Sequence, residues 1–108
     1  MARQVEILID EPGYGSPAAR GDRLQVYCCG KLRRGDVFQE SHVTTFTLGA
    51  REVIPGLEYG VEGMRVGGRR RVRVPPHLAY GGRGVPGVVP ANALLVFDLE
   101  LLSADEAN

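Results

Sequence analysis

The stretch that decides the fold class is VIPGLEYGVEGM, residues 53–64. Leu57, Val61 and Met64 stand at positions i, i+4 and i+7, which places their side chains on one face of a helix. The proline near the start of the stretch suits a first helical turn. The spacing predicts a helix from Gly56 to about Met64. Because this helix is short and contains glycines, we expect packing rather than helix propensity to stabilise it.

The segments on either side of this helix carry apolar residues at alternate positions, which is typical of strands with one buried face. The first strand is expected to be half-buried, because Val5, Ile7 and Ile9 alternate with acidic residues. One short helix among strands predicts the α+β class. The predicted strands lie at residues 5–10, 24–32, 37–39, 44–48, 69–74 and 94–102.

Length and composition indicate one ordered domain, residues 1–108. Fifteen glycines and seven prolines indicate many tight turns rather than disorder. Thirteen basic and thirteen acidic residues give zero formal net charge, which argues against a dedicated nucleic-acid binder or a polybasic membrane protein. No apolar run approaches the roughly 18 residues of a membrane span.

The two cysteines, Cys28 and Cys29, are adjacent on a predicted strand. Their side chains are expected to point to opposite faces, so we expect no disulfide between them. Reduced thiols, together with an N-terminus that lacks the apolar region of a secretory signal, predict a cytoplasmic protein. A mature chain whose signal had been removed would have the same sequence.

The segment GRGVPG, residues 82–87, matches the glycine pattern of dinucleotide-binding loops. That pattern requires a strand before it and a helix that begins within it. Pro86 lies inside the pattern and Pro90 follows it, so a helix cannot begin there. The segment is therefore predicted to be a turn-rich part of a long loop at residues 75–92.

A cluster of arginines on and before the strand at 69–74 has two competing explanations. The functional one is a patch that binds phosphate or nucleic acid. The structural one, which we favour, is that outward arginines face Asp98 and Glu100 on the last strand as cross-strand pairs of opposite charge. The cluster consists of Arg65, Arg69, Arg70, Arg71 and Arg73.

The sequence contains no recognisable motif for metal binding, redox chemistry or nucleophilic catalysis. His42 and His77 are far apart in the sequence, and neither has cysteine or carboxylate neighbours at ligand-like spacing, so no zinc site is predicted. The adjacent cysteines lack the two-residue spacing of a redox pair, and there is no activated-nucleophile motif. We therefore expect neither a metal nor a cofactor.

A set of aromatic and aliphatic residues remains on the elements that would line one concavity. Core packing explains part of the set, because a chain this short has few other large apolar side chains. Val88 and Val89 in the long loop are harder to explain as core, because loops are usually polar. The set comprises Phe38, Phe46, Val53, Ile54, Leu57, Tyr80, Val85, Val88, Val89 and Phe97.

Three segments together resemble FKBP-type peptidyl-prolyl cis-trans isomerases. VIPGLEYGV at 53–61, continued by MRVG at 64–67, is similar to the segment leading into the single helix of that family. AYGGRGVPGVVP at 79–90 is similar to its long active-site loop, and LVFDLELL at 95–102 is similar to its closing strand. The resemblance runs in order and in spacing over residues 5–102, and it identifies the chain as a member.

The resemblance implies a curved antiparallel sheet of about five strands around one short helix, with an apolar pocket for a prolyl ring between them. It implies that the backbone N–H of Ile54 and the phenol of Tyr80 hydrogen-bond ligand carbonyl groups, and that Phe97 belongs to the same catalytic set. Leu57 stands where many members have tryptophan and others leucine. The residues implied to line or flank the pocket are Phe38, Phe46, Val53, Leu57, Val85, Val88, Val89, Cys28 and Gln39.

The chemistry of such a pocket needs no nucleophile, metal or titrating group. An X-Pro bond has nearly balanced cis and trans states, and the barrier between them is about 20 kcal/mol because rotation breaks amide resonance. The twisted amide is less polar than the planar one, so a dry apolar pocket favours it.

Two positions depart from the family's pattern. The family usually has a pocket-facing tyrosine at the position of Cys28 and an aspartate at the position of Gln39, and those two residues hydrogen-bond each other. Because both residues are replaced together, neither is left buried without its hydrogen-bond partner. Val85 also replaces a histidine or similar residue of the long loop. We expect a wider, less polar pocket, weaker binding of macrolide inhibitors and reduced isomerase activity.

The first expected function is prolyl isomerisation that assists protein folding, with proline-containing polypeptides as partners. The second is a weakly active or inactive module that binds prolyl segments as a chaperone or interaction domain, which the residues at Cys28 and Gln39 favour. Nucleic-acid binding through the arginine cluster ranks third. The chain is expected to be a monomer that binds neither nucleic acid nor membranes.

Overall fold

The computed structural model describes residues 4–106. This part of the chain contains five β-strands, one α-helix and one 3₁₀ turn. Neither helical segment in the described range is long and apolar enough to span a membrane. The elements are, in chain order, β1 (Glu6–Glu11), β2 (Arg23–Leu32), β3 (Val37–Thr47), α1 (Pro55–Val61), β4 (Arg69–Val74), the 3₁₀ turn (Pro76–Leu78) and β5 (Leu95–Asp105).

The five strands form one antiparallel sheet in the order β1-β4-β5-β2-β3. Helix α1 packs against one face of this sheet, the inner face, where the backbone of Gly60 approaches Val72 and Leu99. The predicted α+β class, with five antiparallel strands and one short helix, is confirmed.

The hydrophobic core lies between α1 and the inner face. Leu24, Val26 and Cys28 are buried in β2 while Gln25 and Tyr27 between them are exposed, as the alternation predicts. Full burial of a valine, leucine, phenylalanine or methionine side chain stabilises a fold by about 1.5–3 kcal/mol. The buried apolar residues are Ala18, Leu24, Val26, Cys28, Phe46, Leu48, Leu57, Val61, Met64, Val72, Val74, Val89, Leu95, Phe97, Leu99 and Leu101.

Helix α1 is shorter than predicted, because it ends at Val61 rather than near Met64. Gly63 has a φ of 83°, in the left-handed region, which turns the chain away from the helix while Met64 remains buried. Near the start of α1, a side chain at Gly56 would overlap Val74, so glycine lets the helix backbone lie close to β4.

The first strand is not half-buried as predicted, because β1 is exposed along its whole length. It lies at the edge of the sheet and pairs only with β4. A register shift places Ile7 opposite Val72 and Ile9 opposite Arg71. Since Val72 and Arg71 face opposite sides of β4, the two isoleucines do not share a face, and the apparent alternation is interrupted by a bulge.

The two short strands predicted at 37–39 and 44–48 form one continuous strand, β3. Cys28 pairs with His42 but Gly30 pairs with Gln39, so β3 uses an extra residue in this interval and contains a bulge. The last strand is also longer than predicted. It extends to Asp105 because its end pairs with the start of β2 after the apolar alternation has stopped.

The arginine cluster makes the cross-strand ion pairs that the structural explanation predicts. Arg71 Nε lies 2.7 Å from Asp98 Oδ1, and Arg69 Nε lies 3.4 Å from Glu100 Oε1. Partial burial raises the pKa of Asp98, but hydrogen bonds from Arg71 and Lys31 outweigh that effect and hold the pKa below its usual value. The charges on this outer face are therefore balanced locally.

Arg70 differs from the other arginines of β4, because its side chain is only 9% exposed. Its Nη1 donates to the carbonyl oxygens of Gly60 at 3.0 Å and Glu62 at 2.8 Å, at the end of α1. Its Nε donates to Asp10 Oδ1 at 3.2 Å. Arg70 thus joins the helix, β4 and β1, a role that the alternation of the sequence does not indicate.

Candidate functional site

A cavity of about 410 Å³ lies between the start of α1 and the inner face of β2 and β3. It brings together many of the predicted site residues with others that were not predicted. The predicted residues in its lining are Cys28, Gln39, Val53, Ile54, Leu57 and Tyr80. The additional lining residues are His42, Thr44, Arg51 and Glu52.

The apolar floor of the cavity comes from the turn into α1. Leu57 is buried, and Val53 and Ile54 are half-buried just before the helix. The Ile54 carbonyl accepts hydrogen bonds from the N–H groups of Leu57 at 3.0 Å and Glu58 at 3.4 Å, which fixes the backbone at the helix start. Within residues 4–106, the N–H of Ile54 itself donates to no acceptor. It is therefore free for a ligand carbonyl.

Tyr80 reaches the cavity from the long loop before β5. Gly81, Gly84 and Gly87 have φ values of 59°, 64° and 75°, a left-handed conformation that glycine adopts readily, and they produce the predicted series of turns. The Tyr80 carbonyl accepts the N–H of Gly84 at 2.9 Å, which closes the loop on itself. The Tyr80 hydroxyl has no partner among the described residues, which leaves it available to a ligand.

His42 and Cys28 form a wall of the cavity. His42 Nδ1 lies 3.0 Å from the Glu40 carbonyl oxygen. Because a carbonyl only accepts, Nδ1 carries a proton in this contact. His42 Nε2 lies 3.8 Å from Cys28 Sγ, within hydrogen-bonding distance of the thiol. Contacts at both ring nitrogens thereby orient the imidazole. The Cys28 thiol contacts His42 and not Gln39.

The Cys28 thiol is not an activated nucleophile. Burial, assisted by the neighbouring Cys29, raises the pKa of Cys28 to about 11. The thiol is therefore protonated at neutral pH, whereas reactive cysteines have lowered pKa values. Cys28 and Cys29 are both free, as predicted for adjacent residues of one strand.

Comparison with known proteins agrees with this architecture. A family model described as FKBP-type peptidyl-prolyl cis-trans isomerase matches residues 15–102. The chain belongs to this family.

Curated relatives of this FKBP-type chain are longer proteins. "FK506-binding protein 4" of Emericella nidulans is 46% identical over 89% of this chain, which is 21% of that protein. "Peptidyl-prolyl cis-trans isomerase FKBP11" of Bos taurus is 44% identical over 97% of this chain and 54% of that protein. The chain thus spans between about a fifth and about half of these relatives.

Two solved FKBP structures resemble this one in fold. FkpA from Escherichia coli has a TM-score of 0.81 and 35% identity, over 96% of this chain and 48% of that chain. AtFKBP13 has a TM-score of 0.80 and 33% identity, over 92% of this chain and 90% of that chain. The sheet and helix described above are therefore those of the FKBP fold.

Three phenylalanines predicted for the FKBP pocket are not among the residues that line the cavity. Phe46 and Phe97 are fully buried in the core. Phe38 packs edge-on against Phe97, with ring centroids 5.8 Å apart. A side chain at Gly30 would collide with this pair, so glycine makes room for it. The structure therefore places Phe46 and Phe97 in the hydrophobic core and Phe38 against it.

The valines of the FKBP loop do not line the cavity. Val85 and Val89 exchange backbone hydrogen bonds of 2.8 Å in both directions, which forms a small closed turn. Val89 is buried in the core, while Val88 is exposed. The apolar character of the loop is therefore explained in part by core packing at Val89.

His42 and Thr44 belong to the lining but were not predicted. Thr44 lies opposite Val26 and His42 opposite Cys28, all on the inner face, whereas Gln39 reaches that face only because of the bulge in β3. Strict alternation would place the odd-numbered Gln39 on the face opposite to the even-numbered His42 and Thr44. Alternation counted backwards from the buried Phe46 would have predicted that Thr44 and His42 face the cavity.

A second cavity, of about 470 Å³, lies on the outer face of the sheet. Its charged lining includes Arg69, Arg71, Asp98 and Glu100, which already form ion pairs with one another. Among residues 4–106, no group of three or more histidine, cysteine or acidic side chains is placed to hold a metal. The inner cavity is therefore the candidate site.

Proposed function

We propose that this FKBP-type chain accelerates cis-trans rotation of X-Pro bonds and thereby assists protein folding. The observation that carries the proposal is one cavity that combines an apolar floor at Leu57 with two free hydrogen-bonding groups, the Ile54 N–H and the Tyr80 hydroxyl. Membership of the isomerase family supports it. The substrates are proline-containing polypeptides.

The proposed mechanism rests on desolvation and positioning. The prolyl ring packs on Leu57 and Val53, which removes water from the amide. Rotation breaks the resonance that separates charge in the planar amide, so an apolar surrounding disfavours the planar state relative to the twisted one. The Ile54 N–H and the Tyr80 hydroxyl hold carbonyl groups of the substrate, so that one side of the bond stays fixed while the other turns.

The remaining predicted residues have supporting roles in this proposal. The rings keep the cavity floor rigid, and Val85 and Val88 give the substrate chain an apolar surface beside the cavity, while Val89 stays in the core. Val88, the exposed one, is the valine best placed to contact a polypeptide. The residues concerned are Phe38, Phe46, Phe97, Val85, Val88 and Val89.

FK506-type macrolides are proposed to bind in the same cavity, but more weakly than in FKBPs that retain the tyrosine and aspartate. Support comes from the Cys28 thiol, a weak hydrogen-bond donor already engaged by His42. Titration calorimetry with FK506, compared between the wild type and the Cys28→Tyr, Gln39→Asp double variant, measures the difference.

The alternative is an FKBP module that binds prolyl segments without catalysis, which membership of the isomerase family does not favour. A protease-coupled assay with a Leu-Pro peptide distinguishes the two, because only an enzyme gives an isomerisation rate proportional to its concentration. Tyr80→Phe removes only the hydroxyl and should lower kcat/KM several-fold. Tyr59→Phe, an exposed tyrosine outside the cavity lining, is the matched control and should not.

The chain is further proposed to act as a monomer in the cytoplasm. Acidic residues at the exposed edge strand β1 discourage edge-to-edge pairing, which supports a monomer. Two free thiols suit a reducing compartment. Light scattering after size-exclusion chromatography tests the first statement, and cell fractionation tests the second.

A further inference from the structure

The rim of the inner cavity carries two adjacent charged residues, Arg51 and Glu52. The Glu52 carboxylate is already engaged, because its Oε1 accepts from Arg23 Nη1 at 2.9 Å and from the backbone N–H of Thr47 at 2.6 Å. Its negative charge is therefore balanced by Arg23. Glu52 offers little attraction to a cationic ligand.

The backbone at Arg51 is fixed by a different carboxylate. Glu58 Oε2 accepts the N–H of Gly49 at 2.7 Å and the N–H of Arg51 at 3.4 Å. Arg51 has a φ of 62°, an unusual conformation for a residue other than glycine, which these bonds help to maintain. The turn thus presents a side chain at a defined place on the cavity rim.

The guanidinium of Arg51, in contrast, makes no ion pair with any carboxylate of residues 4–106. The other polar groups of the lining do not supply a compensating negative charge. An imidazole such as His42 carries no negative charge, and the Cys28 thiol remains protonated. Glu58 binds backbone N–H groups of the turn and makes no ion pair with Arg51. With Glu52 balanced by Arg23, Arg51 is the charged residue of the described cavity lining whose side chain makes no ion pair.

We infer that the cavity selects prolyl segments that carry an acidic residue immediately beside the proline, and that Arg51 is the residue that determines this preference. The inference rests on the proposed function, since it assumes that the prolyl ring occupies the floor at Leu57. An acidic side chain next to that ring lies within reach of the rim, where the free guanidinium attracts it.

The size of the preference follows from the exposure of Arg51. Exposed ion pairs are modest, and they weaken as salt screens them. We therefore expect kcat/KM for a Glu-Pro peptide to exceed that for an otherwise identical Lys-Pro peptide by about fivefold at low ionic strength. The ratio should fall toward one in about 0.5 M NaCl, where the screening length is only a few ångströms.

The test compares peptides that differ only in the residue before or after proline, namely glutamate, glutamine or lysine. Each is measured with the wild type, with Arg51→Gln and with Arg33→Gln. Arg33 is an exposed arginine of the β2–β3 turn outside the cavity lining, so Arg33→Gln gives the same change in net charge at another place. Equilibrium binding of the same peptides, followed by NMR chemical shifts, is measured in parallel.

The inference is supported if the preference for glutamate over lysine is present in the wild type and in Arg33→Gln, is lost in Arg51→Gln, and declines with salt. It is overturned if the wild type does not discriminate or if Arg51→Gln keeps the preference. A wild type that turns over no peptide contradicts the proposed function, and the binding ratios then decide the inference on Arg51 separately.

Discussion

Cys28 lines the inner cavity from β2, and its buried thiol makes a prediction about pH. The pKa of Cys28 is raised to about 11, from an ordinary value near 9.0. As pH rises above 9, the unfolded chain loses this proton first, so the stability contributed by the protonated thiol is complete below pH 9 and lost by pH 11. We expect the free energy of unfolding to fall by about 2–3 kcal/mol across this interval.

Urea denaturation at several pH values measures this loss. Cys28→Ala should remove the contribution of Cys28, so that the free energy of unfolding changes with pH only as far as other groups contribute. Cys29→Ala, in the neighbouring half-buried residue, should keep most of the wild-type slope against pH, because burial is the larger cause of the raised pKa of Cys28. Equal slopes for the wild type and Cys28→Ala would show that the thiol is not held protonated by the fold.

Cys28 and Gln39, at positions where the resemblance implies tyrosine and aspartate, give a second prediction at this scale. Cys28→Tyr together with Gln39→Asp is expected to raise kcat/KM for a short X-Pro peptide above the wild type, because an aromatic ring narrows the cavity and a carboxylate restores its partner. Each single change should do less, since it leaves one polar group without that partner. A double variant no faster than the wild type would mean that Cys28 and Gln39 are neutral for catalysis.

At the scale of elements, Arg70 connects α1 to the sheet and thereby supports the cavity floor. Its guanidinium caps the carbonyl groups of Gly60 and Glu62 and is only 9% exposed. Arg70→Leu leaves those acceptors without their donor, and we expect it to destabilise the fold by about 2 kcal/mol. The midpoint of thermal or urea unfolding measures the change.

Arg73 provides the control for this prediction. It lies on the same strand and forms an exposed ion pair, 3.6 Å from Glu6 Oε2. Arg73→Leu should cost about 1 kcal/mol or less, because exposed ion pairs contribute little. Equal destabilisation by the two changes would contradict the role assigned to Arg70.

The elements also show what could be predicted from the sequence. Strands β2, β4 and β5 follow the apolar alternation, since their inner residues are buried and their outer residues are not. The bulges of β1 and β3 could not be read from that alternation, because an extra residue shifts the facing of a strand without changing its composition. The facing of Ile9 was missed for this reason, whereas His42 was missed because the two short strands predicted for β3 left out residue 42.

Across the whole molecule, the zero net charge is the sum of local pairs. An acidic residue of a neighbouring strand pairs with each of Arg69, Arg70, Arg71 and Arg73. At the cavity rim, by contrast, Arg51 makes no ion pair with a described residue. The glycine excess likewise has a local use, in the close approach of α1 to the sheet and in the turns of the loop that carries Tyr80. Composition indicated both features but could not locate them.

The central claim is that the inner cavity catalyses rotation of X-Pro bonds. Two-dimensional NMR exchange spectroscopy on an unmodified Leu-Pro peptide, with the protein present in substoichiometric amounts, tests it most directly. We predict that the cis-trans exchange rate rises in proportion to protein concentration while the cis fraction stays constant, and that the rise is smaller for Tyr80→Phe. An exchange rate unchanged by the protein would contradict the claim.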